Sequence, residues 1–314
     1  MSNVKSTREV GDKGAIHPSL SPTKGQIFLR RLFSSVILWT VVLAAAFSPN
    51  AFIADFAFLS IMVVLAALGL VEFYGMVEKR GLICFKEWGV FGGVLLMGST
   101  FLYLSGALGV KTAPAKANDW ETCILILFVL GLCLRQFVSK TNTAGILAVS
   151  TTLFGLMYVP WLLNFIQKIN FFPNIDGRFY VFYFIVVTKF SDIGAYLVGS
   201  MIGKHKMIPR ISPGKTWEGF VGALLISTLA SIGFTVFAKS RLYGMTMSHA
   251  VILGLILSVG AVVGDLIESL FKREANLKDS GHWFPGIGGI LDLLDSLLFN
   301  APLMYLYLRH VLTN

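Results

Sequence analysis

"SHAVILGLILSVGAVVGDLIESLFKREANLKDSGHWFPGIGGILDLLDS", residues 248 to 296, sets a long apolar run against a segment crowded with charge. Residues 248–271 supply the roughly 20 mostly apolar positions that a helix needs to cross a hydrocarbon core, with Asp265 and Glu268 as the acids, both near the end of the run. The stretch 269–296 then carries the cations Lys272, Arg273 and Lys278 and the acids Glu274, Asp279, Asp292 and Asp295. An apolar span that ends in so ionised a segment predicts a membrane helix reaching an aqueous boundary. A second apolar window at 290–310 turns back across the membrane.

The same pattern recurs outward along the chain. Of 314 residues, 55% are hydrophobic and 14% charged, well below the charged quarter of soluble domains. Apolar windows lie at 30–48, 51–75, 89–109, 120–138, 144–165, 179–202, 219–238, 248–271 and 290–310. The expected fold is all-α: a polytopic integral membrane bundle of about nine transmembrane helices. Residues 1–26 read as a polar cytoplasmic tail, 27–178 as N-terminal membrane helices, and 179–314 as a catalytic membrane region with loops at 203–218 and 272–289. The first window follows Arg30 and Arg31 and has no small-residue cleavage site, which predicts a retained span rather than a signal peptide. Cys84, Cys123 and Cys133 have no metal-ligand spacing and read as small core residues.

A net charge of +9 raises the question of nucleic acid. With the N-terminus placed in the cytoplasm, 18 of the 26 Lys and Arg residues fall on that side, seven on the other, and Lys189 lies within a span. The excess follows the membrane, as the positive-inside rule requires, and gives no nucleic-acid-binding face. The C-terminus is expected on the opposite side.

Ionisable residues inside spans cost roughly 2.5–3.5 kcal/mol each at the bilayer centre and mark functional sites by default. Lys189 and Asp192, Asp265 and Glu268, and Asp292 and Asp295 are each three apart, so each pair shares a helix face. The alternation of spans brings all three pairs to one depth, on the cytoplasmic side. Clustered carboxylates in a poorly polar setting repel unless a cation is bound, and Mg²⁺ meets that need while keeping positions open for phosphate. A second cation is compatible with this number of acids. Asp55 and Glu72, alone in the second window, are expected near its ends.

The loop "GKHKMIPRISPGKTWEG", 203–219, ends like a phosphate-binding P-loop at Gly214-Lys215-Thr216, but Pro209 stands where that motif requires its first glycine. It reads instead as a Pro/Gly-shaped turn whose Lys204, Lys206, Arg210 and Lys215 suit a polyanion.

"KFSDIGAYLVGSMIGKHKMIPRISPGKTWEG", "GDLIESLFKREANLKDSG" and "PGIGGILDLLDS" together resemble the phosphatidate cytidylyltransferase, or CDP-diacylglycerol synthase, family over about residues 185–300. Ser269, Lys272, Arg273, Lys278, Asp279, Pro285, Gly288, Gly289, Asp292 and Asp295 fall at the spacing of that family's C-terminal signature. Ile287 and Leu293 stand where the family has His and Arg, and His282 is the histidine nearby in sequence. The resemblance implies transfer of CMP from CTP to phosphatidate at the cytoplasmic face of a bacterial plasma membrane. It implies Asp265 and Asp292 as metal ligands beside Ser212 and Pro213, with Asp192, Glu268 and Asp295 as further ligands. Lys215, Lys272, Arg273 and Lys278 would face the triphosphate, Asp279 would orient one of them, and Gly214, Thr216, Gly288 and Gly289 would line the substrate. The partners are then CTP, phosphatidate and membrane lipid, with a second copy of the chain left open. Two other functions fit these residues, a polyprenol kinase-like CTP enzyme and an ion-coupled transporter.

Overall fold

The structure is a computed structural model that describes residues 48–107, 114–139, 144–281 and 288–313. Eight helices among these residues are long and apolar enough to cross a membrane. They are α1 (Ala51–Lys79), α2 (Lys86–Leu104), α3 (Pro114–Val138), α4 (Gly145–Asn170), α5 (Gly177–Ile202), α6 (Trp217–Phe237), α7 (Met247–Glu274) and α8 (Ile290–Leu312). Each corresponds to one of the apolar windows from 51 onward. The expected first span, 30–48, falls outside the described residues except for Ser48. The chain is a multi-pass membrane protein built as a helical bundle.

Local chemistry sets the helix ends. Asn50 accepts hydrogen bonds from the Phe52 and Ile53 amides to start α1, and Thr216 and Thr246 do the same for Gly219 and His249 in α6 and α7. Pro160, which has no N–H to give, sits within α4 in a wider π-helical turn at Met157–Trp161. Phe137, Ile146, Met201 and Phe237 point outward fully or nearly so, the arrangement expected where lipid rather than water is the solvent.

The loop at 203–218 departs from the all-helical expectation. It folds as an antiparallel hairpin of β1 (Lys206–Ile208) and β2 (Ser212–Thr216), with Lys206 opposite Thr216 and Ile208 opposite Ser212. Strands this short carry no sequence period of their own.

Helices α5 and α6 pack closely where Gly194 and Gly222 remove the side chains. A Cβ on Gly194 would lie 2.6 Å from the Gly222 carbonyl oxygen. Polar groups then join the inner helices. Asn300 Nδ2 of α8 donates to Thr188 Oγ1 of α5 (2.9 Å) and to the Leu257 carbonyl of α7 (2.7 Å), and Ser227 Oγ of α6 donates to the Val187 and Gly254 carbonyls. In the N-terminal half, Tyr74 of α1 donates its hydroxyl to the Thr152 carbonyl of α4 (2.7 Å). Asp55 lies near the start of α1, as expected, and pairs with Arg178 at 2.9 Å. Glu72 does not lie at the α1 end: it is buried about two turns before it and reaches across to the start of α8.

Candidate functional site

The end of α5, the hairpin, the start of α6, the end of α7 and the start of α8 meet at one end of the bundle. Gly264 permits the closest part of that meeting, since a Cβ there would lie 2.5 Å from the Asp295 carbonyl oxygen. With α8 drawn against α7 at this level, Asp295 joins Asp265 and Glu268. One oxygen from each of the three lies within 4.8 Å of the others.

Lysines surround this trio. Lys215, on β2, forms an ion pair with Asp265. Lys272 lies one turn beyond Glu268 on α7 and pairs with it and with Asp292 Oδ1 (2.6 Å). Lys189 donates to Asp192 (3.3 Å), to the Leu293 carbonyl (3.1 Å) and to Ser296 Oγ (3.1 Å). Five carboxylates (Asp192, Asp265, Glu268, Asp292, Asp295) therefore face three ammonium groups (Lys189, Lys215, Lys272), a formal excess of two negative charges when all are ionised. Burial opposes the charge on Lys215, but Asp265, reinforced by Asp192 and Asp295, prevails and raises its pKa above the ordinary lysine value.

These residues fit a divalent cation. The donor set is entirely carboxylate oxygen, which hard cations prefer, and the charge excess matches 2+. Glu268 is 1% exposed, and its Oε1 has no hydrogen-bond partner among the described residues. A buried carboxylate oxygen left so is costly unless a cation takes it.

Asp292, expected from the resemblance to share a metal with Asp265, is engaged differently. Its Oδ1 takes Lys272, while Oδ2 accepts from the Gly289 amide (2.7 Å), the Ser280 amide (3.1 Å) and Ser280 Oγ (3.0 Å). Gly288, with φ at +111°, shapes the turn that this carboxylate closes. Asp192 stands beside the trio through Ser296 and Lys189.

A cavity of about 340 Å³ opens next to Lys215. Asp192, Ser212 and Lys215 line its polar part; Tyr196, Phe220 and Val262 line its apolar part. Gly214 and Thr216 also border it. Pro213 is exposed on the hairpin. Arg273, expected to face phosphate, instead ties the hairpin to α7, donating from Nε to the Ile211 carbonyl and from a terminal nitrogen to the Leu277 carbonyl, both at 3.2 Å. Lys278 and Asp279 are exposed on the turn after α7. Ile287 and His282 lie outside the described residues.

Comparison with known families bears on this arrangement. The model of the cytidylyltransferase family matches residues 31–311, nearly the whole chain. The chain belongs to the cytidylyltransferase family. Among similar proteins is a phosphatidate cytidylyltransferase of Staphylococcus haemolyticus (strain JCSC1435), 33% identical over 230 residues that cover 72% of this chain and 86% of the relative. Another is that of Bacillus subtilis (strain 168), 32% identical over 248 residues, 78% of this chain and 87% of the relative. A third, from Mycobacterium bovis (strain ATCC BAA-935 / AF2122/97), is 32% identical over 222 residues, 68% and 70% of the two chains.

In this family member the sequence pattern missed three participants. Glu72 was passed over because its partners lie more than 200 positions away. Ser280 and Ser296, short hydroxyls between the acids, carry no motif of their own. Glu72 had one legible signal, a lone acid inside an otherwise apolar span.

Proposed function

We propose that this chain transfers the cytidylyl group of CTP to phosphatidate, giving CDP-diacylglycerol and pyrophosphate. The carrying observation is the adjacency of Lys215, the carboxylate trio and a cavity that is polar at one side and apolar at the other. Family membership and the names of the relatives support the same substrates.

In this reading a phosphate oxygen of phosphatidate bonds to the α-phosphorus of CTP as the bond from that phosphorus to the bridging β-phosphate oxygen breaks. Pyrophosphate leaves. The attacking oxygen is already anionic at neutral pH, so the chain needs no strong general base. Its task is to hold two polyanions in line and to offset their charge. Lys215 presents an ammonium group at the cavity, and Lys272 a second one beside Glu268 and Asp292. The hairpin, fixed to α7 by Arg273, sets the position of Lys215. Ser212, Gly214 and Thr216 border the nucleotide side of the cavity, while Tyr196 and Phe220 leave the acyl chains in contact with lipid.

Asp265, Glu268 and Asp295 would hold Mg²⁺, with Asp192 next to them, and the bound ion would supply Lewis-acid neutralisation of phosphate charge. Asp292, Gly288 and Gly289 form the turn that keeps Lys272 and the α8 start in register. We place this end of the bundle at the cytoplasmic face of a bacterial plasma membrane, because CTP is soluble and the basic loops gather there.

The test is purified protein with Mg²⁺ and CTP radiolabelled at the α-phosphorus in one set and at the γ-phosphorus in another, given phosphatidate in one arm and a polyprenol in the other. Label entering a CDP-lipid in the first arm, with pyrophosphate released, supports the proposal. Phosphoryl transfer to the polyprenol alone would replace it with the kinase reading.

A further inference from the structure

Glu72 is an acid inside α1, an apolar helix long enough to cross a membrane, and it is only 6% exposed. Its charge is met by three donors. Oε1 accepts from the Ile290 amide (2.9 Å), and Oε2 accepts from the Leu291 amide (2.9 Å) and from Ser280 Oγ (3.1 Å). Ile290 and Leu291 open α8, so their N–H groups have no acceptor within that helix and lie at the positive end of its dipole.

The start of α8 is thus held by two carboxylates of different origin. Asp292 closes the turn from within, through Gly289, and Glu72 grips it from the other half of the chain. Ser280 Oγ lies between the two, 3.0 Å from Asp292 and 3.1 Å from Glu72, and shares its single hydroxyl proton between them. Space for the Glu72 carboxylate exists because two neighbours are glycine. A Cβ on Gly281 would lie 2.1 Å from Oε1, and one on Gly289 would lie 2.5 Å from Oε2.

Within the next turn the same helix carries Asp295 into the trio and Asp292 onto Lys272. We propose that Glu72 is a positioning residue that fixes the start of α8, through the Ile290 and Leu291 amides and Ser280, so that Asp295 and Asp292 meet their partners on α7. A single acid in the N-terminal half thereby sets the geometry of the carboxylate cluster in the C-terminal half. The inference rests on the cation reading of that cluster.

The test uses full-length protein in detergent, with Mn²⁺ binding followed by electron paramagnetic resonance and with steady-state kinetics beside it. Glu72→Gln keeps the size, but its amide nitrogen must face a backbone N–H. Gly281→Ala removes no ionisable group and displaces the carboxylate sterically. Each should weaken Mn²⁺ binding by about tenfold, the equivalent of one charge-assisted hydrogen bond. Each should also lower kcat by a similar factor while KM for CTP stays near wild type. Both variants folded and binding Mn²⁺ as wild type would overturn the assignment, as would a lowered melting temperature with unchanged affinity per folded molecule. Ser280→Ala decides the matter should neither fold, because it leaves both backbone contacts and breaks only the link to Asp292. It should weaken Mn²⁺ binding by roughly threefold, and wild-type binding there overturns the role. Wild type that binds no Mn²⁺ at all removes the cation reading and this inference together, whereas binding by wild type that the variants leave unchanged removes the inference alone.

Discussion

Replacing Asp265 with Asn keeps the side chain's size and one oxygen but removes one of five negative charges at the α7–α8 junction. The excess over Lys189, Lys215 and Lys272 falls from two to one, and Lys215 loses the partner that it now pairs with. Two unit charges about 4 Å apart interact by roughly 4 kcal/mol at an effective dielectric near 20, and a unit charge with a divalent cation by about twice that. If solvent and rearrangement leave only a third, ~2.7 kcal/mol remains, which is about 100-fold in cation affinity. The assay is incorporation of labelled CTP into CDP-lipid across a Mg²⁺ titration, with matched amounts of wild type and variant. Turnover should drop by about two orders of magnitude at the Mg²⁺ concentration that saturates wild type, with partial recovery at higher concentrations. An unchanged Mg²⁺ dependence and near-normal turnover would refute the reasoning, because solvated helix-end acids would tolerate Asn without loss.

Four further outcomes are expected. Lys215→Ala should raise KM for CTP by about tenfold or more, the loss of one charge-assisted contact, in initial-rate measurements. In wild type the raised Lys215 pKa keeps the ammonium group present at every pH below the ordinary lysine value and loses it only as pH rises through the higher folded value, so KM for CTP should show no alkaline increase from this group between about pH 7 and 9. Thr216→Ala removes the cap on the Gly219 amide and should cost about 1 kcal/mol, read as a lower unfolding temperature in detergent. In a background lacking Cys84, Cys123 and Cys133, single cysteines from Arg210→Cys on the hairpin and Lys239→Cys after α6 should react with a membrane-impermeant maleimide from opposite sides; labelling from one side would contradict the alternation of spans.

The spans were legible because a bilayer demands about 20 apolar residues wherever a helix crosses it, and eight of the windows return as helices with ends shifted by only a few residues. The i, i+3 spacing of acids was legible for the same geometric reason. What spacing could not decide is which member of each pair turns into the cluster. Asp292 and Asp295 share a face of α8, yet Gly264 admits Asp295 against α7 while Lys272 and the Ser280 and Gly289 amides hold Asp292. The resemblance implied that Arg273 faces phosphate, and its carbonyl partners on the hairpin and the following turn became visible only when the two loops were brought together. The hairpin itself escaped notice because strands of three and five residues offer too few positions for an alternating pattern.

The depth of the charges separates an enzyme from an ion-coupled carrier. A carrier needs a polar site reachable in turn from both faces, built near mid-membrane from interrupted helices. Here the cluster sits just beyond the midpoint of α5, in the last third of α7 and in the first two turns of α8, and each of these helices runs through it without interruption. The other buried ion pair, Lys168 with Glu121, lies far from it: Lys168 Nζ is 5.6 Å from the ring of Tyr305, which is about 20 Å further along α8 than Asp292. Between the two levels the inner helices meet through buried Phe184, Val187, Leu253, Leu257, Leu298 and Ala301, side chains with nothing to offer an ion. The polar groups at that level are mostly tied to one another or to backbone: Asn300 donates to Thr188 and to the Leu257 carbonyl, Ser191 pairs with Ser258, and Ser227 bonds the Val187 carbonyl. A cluster so placed suits the proposed reaction, in which a water-soluble nucleotide meets a phosphate whose tails remain in the bilayer, since the adjoining cavity has Lys215 on one side and the apolar side chains of Tyr196 and Phe220 on the other.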